Sequence, residues 1–190
     1  MTGPPATCTT EVDLIFVMDA SGSIESDRFE QMKSLVSQIV NKFDIDSGNA
    51  QVGLLTYSSN VNTIFDLSTY TSRAAVRAAI SDLTYTAGNT STADALAYVR
   101  RVMLQPAAGD RILVPNVVVV MTDGGSNDKF STQVSFVTLL DIVVLNVMFL
   151  RSTSSAKKTD FHTFIILQLF YPVNPKTVPL LFLQYIFKMP

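Results

Sequence analysis

The stretch VDLIFVMDASGSI, residues 12–24, decides the fold of this 190-residue chain. Its beginning, Val12–Met18, is a short apolar run rich in β-branched residues, which is the pattern of a strand covered on both faces. The run ends at Asp19, and the hydroxyls of Ser21 and Ser23 follow at alternate positions around a glycine. The stretch therefore predicts a buried strand that brings one carboxylate and two hydroxyls to one end of a sheet.

Strands and helices alternate along the chain as far as Asp123. A first helix is predicted from a capping box formed by Asp27 and Glu30, followed by apolar residues at helical spacing: Phe29, Met32, Val36, Ile39, Val40 and Phe43. Further strands are predicted at Val52–Tyr57, Val61–Leu67 and Val117–Met121, and further helices from Thr71 or Ser72 to Leu83 and from near Ser91 to Met103. This order predicts an α/β fold with a doubly wound, mostly parallel central sheet and helices on both faces.

Charge and cysteine content exclude some classes of protein and leave others open. A formal net charge of −2 gives no case for a nucleic-acid partner. The single cysteine, Cys8, rules out an internal disulfide framework but fits either an inert thiol or a bond to another segment or chain. The start MTGPPATCTTEVD lacks the features of a signal peptide, which fits an intracellular protein or part of a longer secreted one. No apolar run reaches the roughly 18 residues of a membrane span.

The composition changes near Val134. All eight glycines precede this residue, and residues 134–190 contain none. We therefore predict a domain core at residues 11–133 and an atypical apolar tail at residues 134–190. Within the tail, Ile142–Leu150 fits a further strand, but the sequence shows no helix before it. Two origins of the tail stay open, a divergent completion of the domain and a product of aberrant splicing or an erroneous gene model.

Oxygen-bearing side chains lie where the carboxyl ends of the predicted strands meet. Asp19, Ser21 and Ser23 follow the first strand, Thr90 precedes a helix in TAGNTSTADAL, and Asp123 ends VVVVMTD. Ligands bind at this edge of such sheets. A set of carboxylates and hydroxyls without histidine or cysteine suits Mg²⁺, or Mn²⁺, better than zinc. Two carboxylates would leave the ion Lewis acidic, with a position open to an outside carboxylate.

These residues resemble a known motif. DASGS at residues 19–23 resembles the D-x-S-x-S motif of von Willebrand factor type A domains, and Thr90 and Asp123 occupy the matching places of the family's metal-ion-dependent adhesion site. The segments VGLLTYSS and VPNVVVVMTDG are similar to the matrix-protein and collagen-associated branch. The resemblance covers roughly residues 11–133 and implies a Rossmann-like fold.

The resemblance also implies a role for each residue. Ser21 and Ser23 would bind Mg²⁺ directly, and Thr90 would do so in the ligand-competent state. Asp19 and Asp123 would act mainly through bridging waters. A glutamate or aspartate of a protein partner, such as a matrix protein or collagen, would complete the coordination. The implied function is extracellular adhesion without catalysis.

Other interpretations stay open beside this one. The chain could be a structural interaction module with a vestigial metal site, or a metal-dependent hydrolase, although we find no base positioned for hydrolysis. The only histidine, His162, lies in the tail, so a Ser-His-Asp triad is not indicated. Single members of the motif could be mere helix caps or turn residues. Asn89-Thr90-Ser91 is a glycosylation sequon, interpreted as chance because a glycan there would crowd the metal.

Overall fold

A computed structural model of the chain describes residues 10–123, 126–129, 131–132, 144–149 and 166–169. Its strands are β1 Val12–Asp19, β2 Ala50–Tyr57, β3 Val61–Phe65, β4 Asn116–Thr122, β5 Val144–Phe149 and β6 Ile166–Leu169. Its longer helices are α1 Ser26–Val40, α2 Arg73–Ser81 and α3 Thr92–Tyr98. None of the helices within these ranges is long and apolar enough to cross a membrane.

The six strands form one sheet in the order β3-β2-β1-β4-β5-β6. The pairs β1–β2, β1–β4 and β4–β5 are parallel, whereas the outer pairs β2–β3 and β5–β6 are antiparallel. The strand that starts with Val12 therefore lies inside the sheet, with a parallel neighbour on each side. This arrangement confirms the prediction of a mostly parallel central sheet.

Side chains of β1 alternate between two cores. Leu14, Phe16 and Met18 pack in one core with the apolar side of α1 and α2. Ile15 and Val17 pack in the other with α3. Because every residue of β1 is buried, the strand has the near-continuous apolar pattern of a sheet covered on both faces. The prediction of helices on both faces is confirmed.

The first helix begins differently from the prediction. Its N-cap position is Glu25, which makes no side-chain capping hydrogen bond, and the helix starts at Ser26. The capping box predicted from Asp27 and Glu30 is therefore wrong, because both residues already lie inside the helix. Asp27 instead occupies the first turn, where a negative charge favours the helix dipole.

The two later helices follow their predictions more closely. Ser72 caps α2, its hydroxyl accepting a hydrogen bond from the Ala75 amide at 3.3 Å. After α3 the chain continues as a π-helical turn, Val99–Met103, so that the two together span the predicted helix. This turn directs Met103 onto β2 at Gly53, where an added Cβ would lie 3.1 Å from the Met103 Cε atom. Gly53 thus makes room for the second core.

Among the described residues beyond Asp123 are two strands and one helical turn. β5 falls within the strand predicted at Ile142–Leu150 and runs parallel to β4. A helical turn follows Asp128, whose carboxylate accepts a hydrogen bond from the Ser131 amide at 2.9 Å. The helix that the sequence did not reveal before β5 would fall mainly on residues 133–143, outside the described residues. The division of the chain at Val134 stays a prediction.

An ion pair closes the amino-terminal end of β1. The buried Asp13 carboxylate accepts hydrogen bonds from the amide and the Nε of Arg111, at 2.9 and 2.8 Å. The Arg111 guanidinium also donates to the carbonyls of Gly48, Val12 and Asn49. Burial raises the pKa of Asp13, while the bonds to Arg111 lower it. A single arginine, just before β4, therefore holds together the start of β1 and the segment that precedes β2.

Removing this arginine should destabilise the fold strongly. Arg111→Ala leaves a buried, unpaired carboxylate, so we expect the free energy of unfolding to fall by about 3–5 kcal/mol. The loss should grow as the pH rises, because removing the hydrogen bonds and charge of Arg111 raises the folded-state pKa of Asp13 further above its wild-type value and makes ionisation more costly. Urea denaturation at several pH values measures it. Arg101→Ala, at an exposed arginine, is the control, and equal stability of the two variants would contradict the prediction.

Candidate metal site

Asp19 ends β1 at the edge of the sheet where β2 and β4 also end. Its carboxylate is fully buried. One oxygen, Oδ1, accepts a hydrogen bond from the Ser21 amide at 2.9 Å. The other, Oδ2, accepts bonds from the hydroxyls of Thr122 at 2.8 Å and Tyr57 at 3.3 Å. Three neutral donors thus fix the carboxylate, and about one of its four acceptor positions is left for a bridging water.

The electrostatic surroundings of Asp19 are unfavourable to its negative charge. Burial is the largest cause that raises the pKa of Asp19, and the charge of Asp123 raises it further. The bonds from Ser21 and Thr122 act in the opposite direction. Burial and the Asp19 charge also raise the pKa of the Tyr57 hydroxyl, which keeps it a donor. None of the ion pairs among the described residues involves Asp19, so a bound cation would compensate a charge that receives only neutral hydrogen-bond donors.

The two serines of the motif point their hydroxyls at each other. The Oγ atoms of Ser21 and Ser23 lie 3.2 Å apart, with Ser21 buried and Ser23 exposed. The carbonyl of Ser21 accepts a hydrogen bond from the Tyr85 hydroxyl at 3.0 Å, which fixes the turn. Two neutral oxygens at this separation suit adjacent ligands of one ion, with one of them reachable from solvent.

Thr90 lies on a loop that is bonded to both other loops of the site. The Gly22 amide donates to the Gly88 carbonyl at 2.9 Å, and the Asn127 amide donates to the Thr90 carbonyl at 3.1 Å. Gly88 has a φ of 104°, and an added Cβ would lie 2.8 Å from the Ser59 Oγ. Only glycine therefore fits this approach. Thr90 itself is 8% exposed, next to the mouth of the site.

Asp123 completes the set from the residue after β4. It is partly buried and close enough for its charge to act on Asp19. The Thr122 hydroxyl links the end of β4 to Asp19 at the end of β1, in addition to the two bonds of the Thr90 loop. The structure therefore gathers all five predicted residues at one edge of the sheet. No group of three or more histidine, cysteine or acidic residues suited to a metal occurs among the described residues.

Two residues of the site were absent from the sequence prediction. Tyr57 and Thr122 are the last residues of the strands on either side of β1, and both donate to Asp19. A usable signal existed in the sequence, because each carries a hydroxyl at the carboxyl end of a predicted strand. Their roles became evident only once the strand order was known.

The residues fit a hard divalent cation. The donors are two carboxylates and three hydroxyls, all oxygen, and no cationic side chain among the described residues forms an ion pair with Asp19. Such a set matches the preference of Mg²⁺ for oxygen ligands with waters retained. The hydrogen bonds that already hold Asp19 suit a role through water rather than direct contact.

Comparison with known proteins identifies the family. The profile of the von Willebrand factor type A domain matches residues 13–162. The collagen alpha-1(XX) chain of Mus musculus is 38% identical over 146 residues, which are 76% of this chain and 11% of the collagen. Matrilin-1 of Gallus gallus is 37% identical over 117 residues, 62% of this chain and 24% of the matrilin. The chain thus spans at most a quarter of the length of these two relatives.

Solved structures agree with this result. Proximal thread matrix protein 1 from the mussel byssus superimposes on this chain with a TM-score of 0.67. Its structure was determined with zinc in its MIDAS motif, the metal-ion-dependent adhesion site. It is 25% identical, and the match covers 74% of this chain and 38% of that one. The manganese-loaded TRAP protein of Plasmodium vivax, 23% identical with a TM-score of 0.66 over 74% of this chain and 57% of that one, shares the fold. Because the profile match covers more than half of the sequence, this chain belongs to the von Willebrand factor type A domain family.

Proposed function

We propose that this chain is an extracellular adhesion module that binds an acidic side chain of a protein partner through Mg²⁺, with Mn²⁺ as a possible substitute. The hydroxyls of Ser21, Ser23 and Thr90 would hold the ion. Asp19 and Asp123 would hold it through water. When bound, the ion would offer a Lewis-acidic position to a glutamate or aspartate of the partner.

One observation carries the proposal. The fully buried Asp19 carboxylate receives hydrogen bonds from neutral donors only, while Asp123 adds a second negative charge nearby. A buried charge without a counter-charge is costly, and a cation at the neighbouring hydroxyls would compensate it. The exposed Ser23 hydroxyl leaves the ion accessible from solvent on that side, as binding to another protein requires.

The setting and the partner class follow from the relatives. Collagen and matrilin chains are extracellular matrix proteins, which supports an extracellular interaction module without catalysis. A triple-helical collagen or another matrix protein that displays glutamate is the partner we propose.

A structural module with a vestigial metal site is the second candidate. It is favoured by the three hydrogen bonds that hold Asp19 and by the bonds that join the three loops without any ion. In that case the loops would be stable without a metal, and partners would bind elsewhere on the domain. Metal dependence of binding separates the two candidates.

Ser23→Ala should weaken Mg²⁺ binding by at least about tenfold, as loss of a ligand group does at other metal sites. The substitution removes an exposed hydroxyl, so the fold should not change. Calorimetric titration of the full chain with Mg²⁺, Mn²⁺ and Zn²⁺ measures the affinities. Ser26→Ala, at an exposed serine three residues away, is the matched control. If the two variants bind Mg²⁺ equally well, Ser23 is not a ligand.

Partner binding should depend on both the ion and a carboxylate. We expect the full chain to bind immobilised triple-helical collagen peptides that contain glutamate in Mg²⁺. Binding should be lost in EDTA, in peptides with glutamine at that position, and in the Ser23→Ala variant. Surface plasmon resonance measures all four conditions. Binding that persists in EDTA and tolerates glutamine would instead favour the module with a vestigial site.

A further inference from the structure

Asn89, at the rim of the metal site, belongs to a glycosylation sequon. Asn89-Thr90-Ser91 is the only Asn-x-Ser or Asn-x-Thr sequence in the chain whose middle residue is not proline. The sequence alone argues against its use, because its middle residue is a proposed metal ligand. A glycan on Asn89 would have to leave Thr90 free to face the ion.

The structure removes this objection. Asn89 is exposed, whereas the next residue, Thr90, is only 8% exposed. A substituent on the Asn89 carboxamide would therefore extend into solvent, while the Thr90 side chain stays inside. Asn89 could therefore carry a glycan while its neighbour Thr90 keeps the proposed contact with the ion.

The loop can carry a substituent without losing its anchors. The Asn89 backbone amide donates to the Ser59 Oγ at 3.0 Å, and the Ser91 amide donates to the Ser58 carbonyl at 2.9 Å. These bonds involve the backbone of the loop. The Asn89 carboxamide itself makes no hydrogen bond to the residues that the structure describes, so its modification breaks no contact there.

We propose that Asn89 is an N-glycosylation site and that its glycan restricts which partners reach the metal site. The Asn89 Nδ2 atom would form a bond to C1 of an oligosaccharide carried on a lipid pyrophosphate. The bond from C1 to the pyrophosphate oxygen breaks, and the amide loses one proton. N-linked sugars of this kind are bulky and lie on surface loops of secreted proteins.

The second part of this proposal rests on the proposed function. A glycan one residue from Thr90 would stand beside the mouth of the site without entering it. Small ions would pass it, and so would a narrow rod such as a single triple helix. A broad surface, such as the side of a collagen fibril, would collide with the sugar. The glycan would therefore alter partner choice and leave metal affinity unchanged.

Glycosylation is tested by the mass of the secreted chain. We would express the full chain behind a cleavable secretion leader in mammalian cells, together with Asn89→Gln, Ser91→Ala and Ser91→Thr. Wild type and Ser91→Thr should show a mass increase that peptide N-glycosidase F removes. Asn89→Gln and Ser91→Ala should show none, although Ser91→Ala retains the asparagine. Unmodified Asn89 in the secreted wild type would overturn the proposal.

The effect on partners is tested with the same proteins. Glycosylated wild type and Asn89→Gln should bind Mg²⁺ and the free glutamate-containing triple-helical peptide equally well, whereas Asn89→Gln should bind reconstituted collagen fibrils several-fold more tightly. Equal binding to fibrils would overturn the role of the glycan. If neither protein binds either collagen probe in Mg²⁺, the proposed function fails together with that role. The mass measurement would still decide glycosylation separately.

Discussion

A carboxylate is buried at each end of the central strand β1, but only one of the two is paired with a positive charge of the described residues. Asp13 is paired with Arg111, which donates to it from both its backbone and its side chain. Asp19 receives only neutral donors. Burying a charge without a partner costs several kcal/mol, so one end of the strand is closed by the protein itself. At the other end, the proposed cation would supply the positive charge.

The loops and hydroxyls around Asp19 are arranged in a way that suits the proposed cation. Three loops converge near Asp19, and hydrogen bonds among the described residues join the Thr90 loop to each of the other two. Their hydroxyls contribute oxygen atoms without adding charge, so an ion bound there would keep part of its positive charge for a further ligand. Rigid placement of the ligands before the ion arrives reduces the cost of ordering them on binding. The hydrogen bonds that hold the loops together would therefore support the proposed metal site as well as the fold.

The sequence predicted the strands well because their apolar runs are determined by burial on both faces. VVVVM could form only a central strand, and the structure places it as β4 beside β1. Helix starts were predicted less well. Asp27 and Glu30 have the spacing of a capping box, but the turn after Ser23 continues to Glu25, which has a φ of 65°. Local spacing cannot reveal how tertiary contacts of the preceding loop shift the first helical residue.

The candidate site, too, was predicted only in part from the sequence. Asp19, Ser21 and Ser23 follow one another in the sequence, so their proximity was evident from the motif. Tyr57 and Thr122 come from different strands, and their common target is visible only from the strand order. The exposure of Asn89 could likewise be learned only from the structure, because sequence neighbours such as Asn89 and Thr90 can differ completely in burial.

The C-terminal strand β5 contributes to the candidate site through its pairing with β4. Among the described residues, the bonds that join the loops around Asp19 come from residues up to Asn127. β4, however, carries Thr122 and leads into Asp123, and its second edge pairs with β5 over Val117–Thr122. An apolar strand with an unpaired edge is prone to pair with other chains. Whatever the origin of the tail, β5 covers the edge of the strand that carries Thr122 and leads into Asp123.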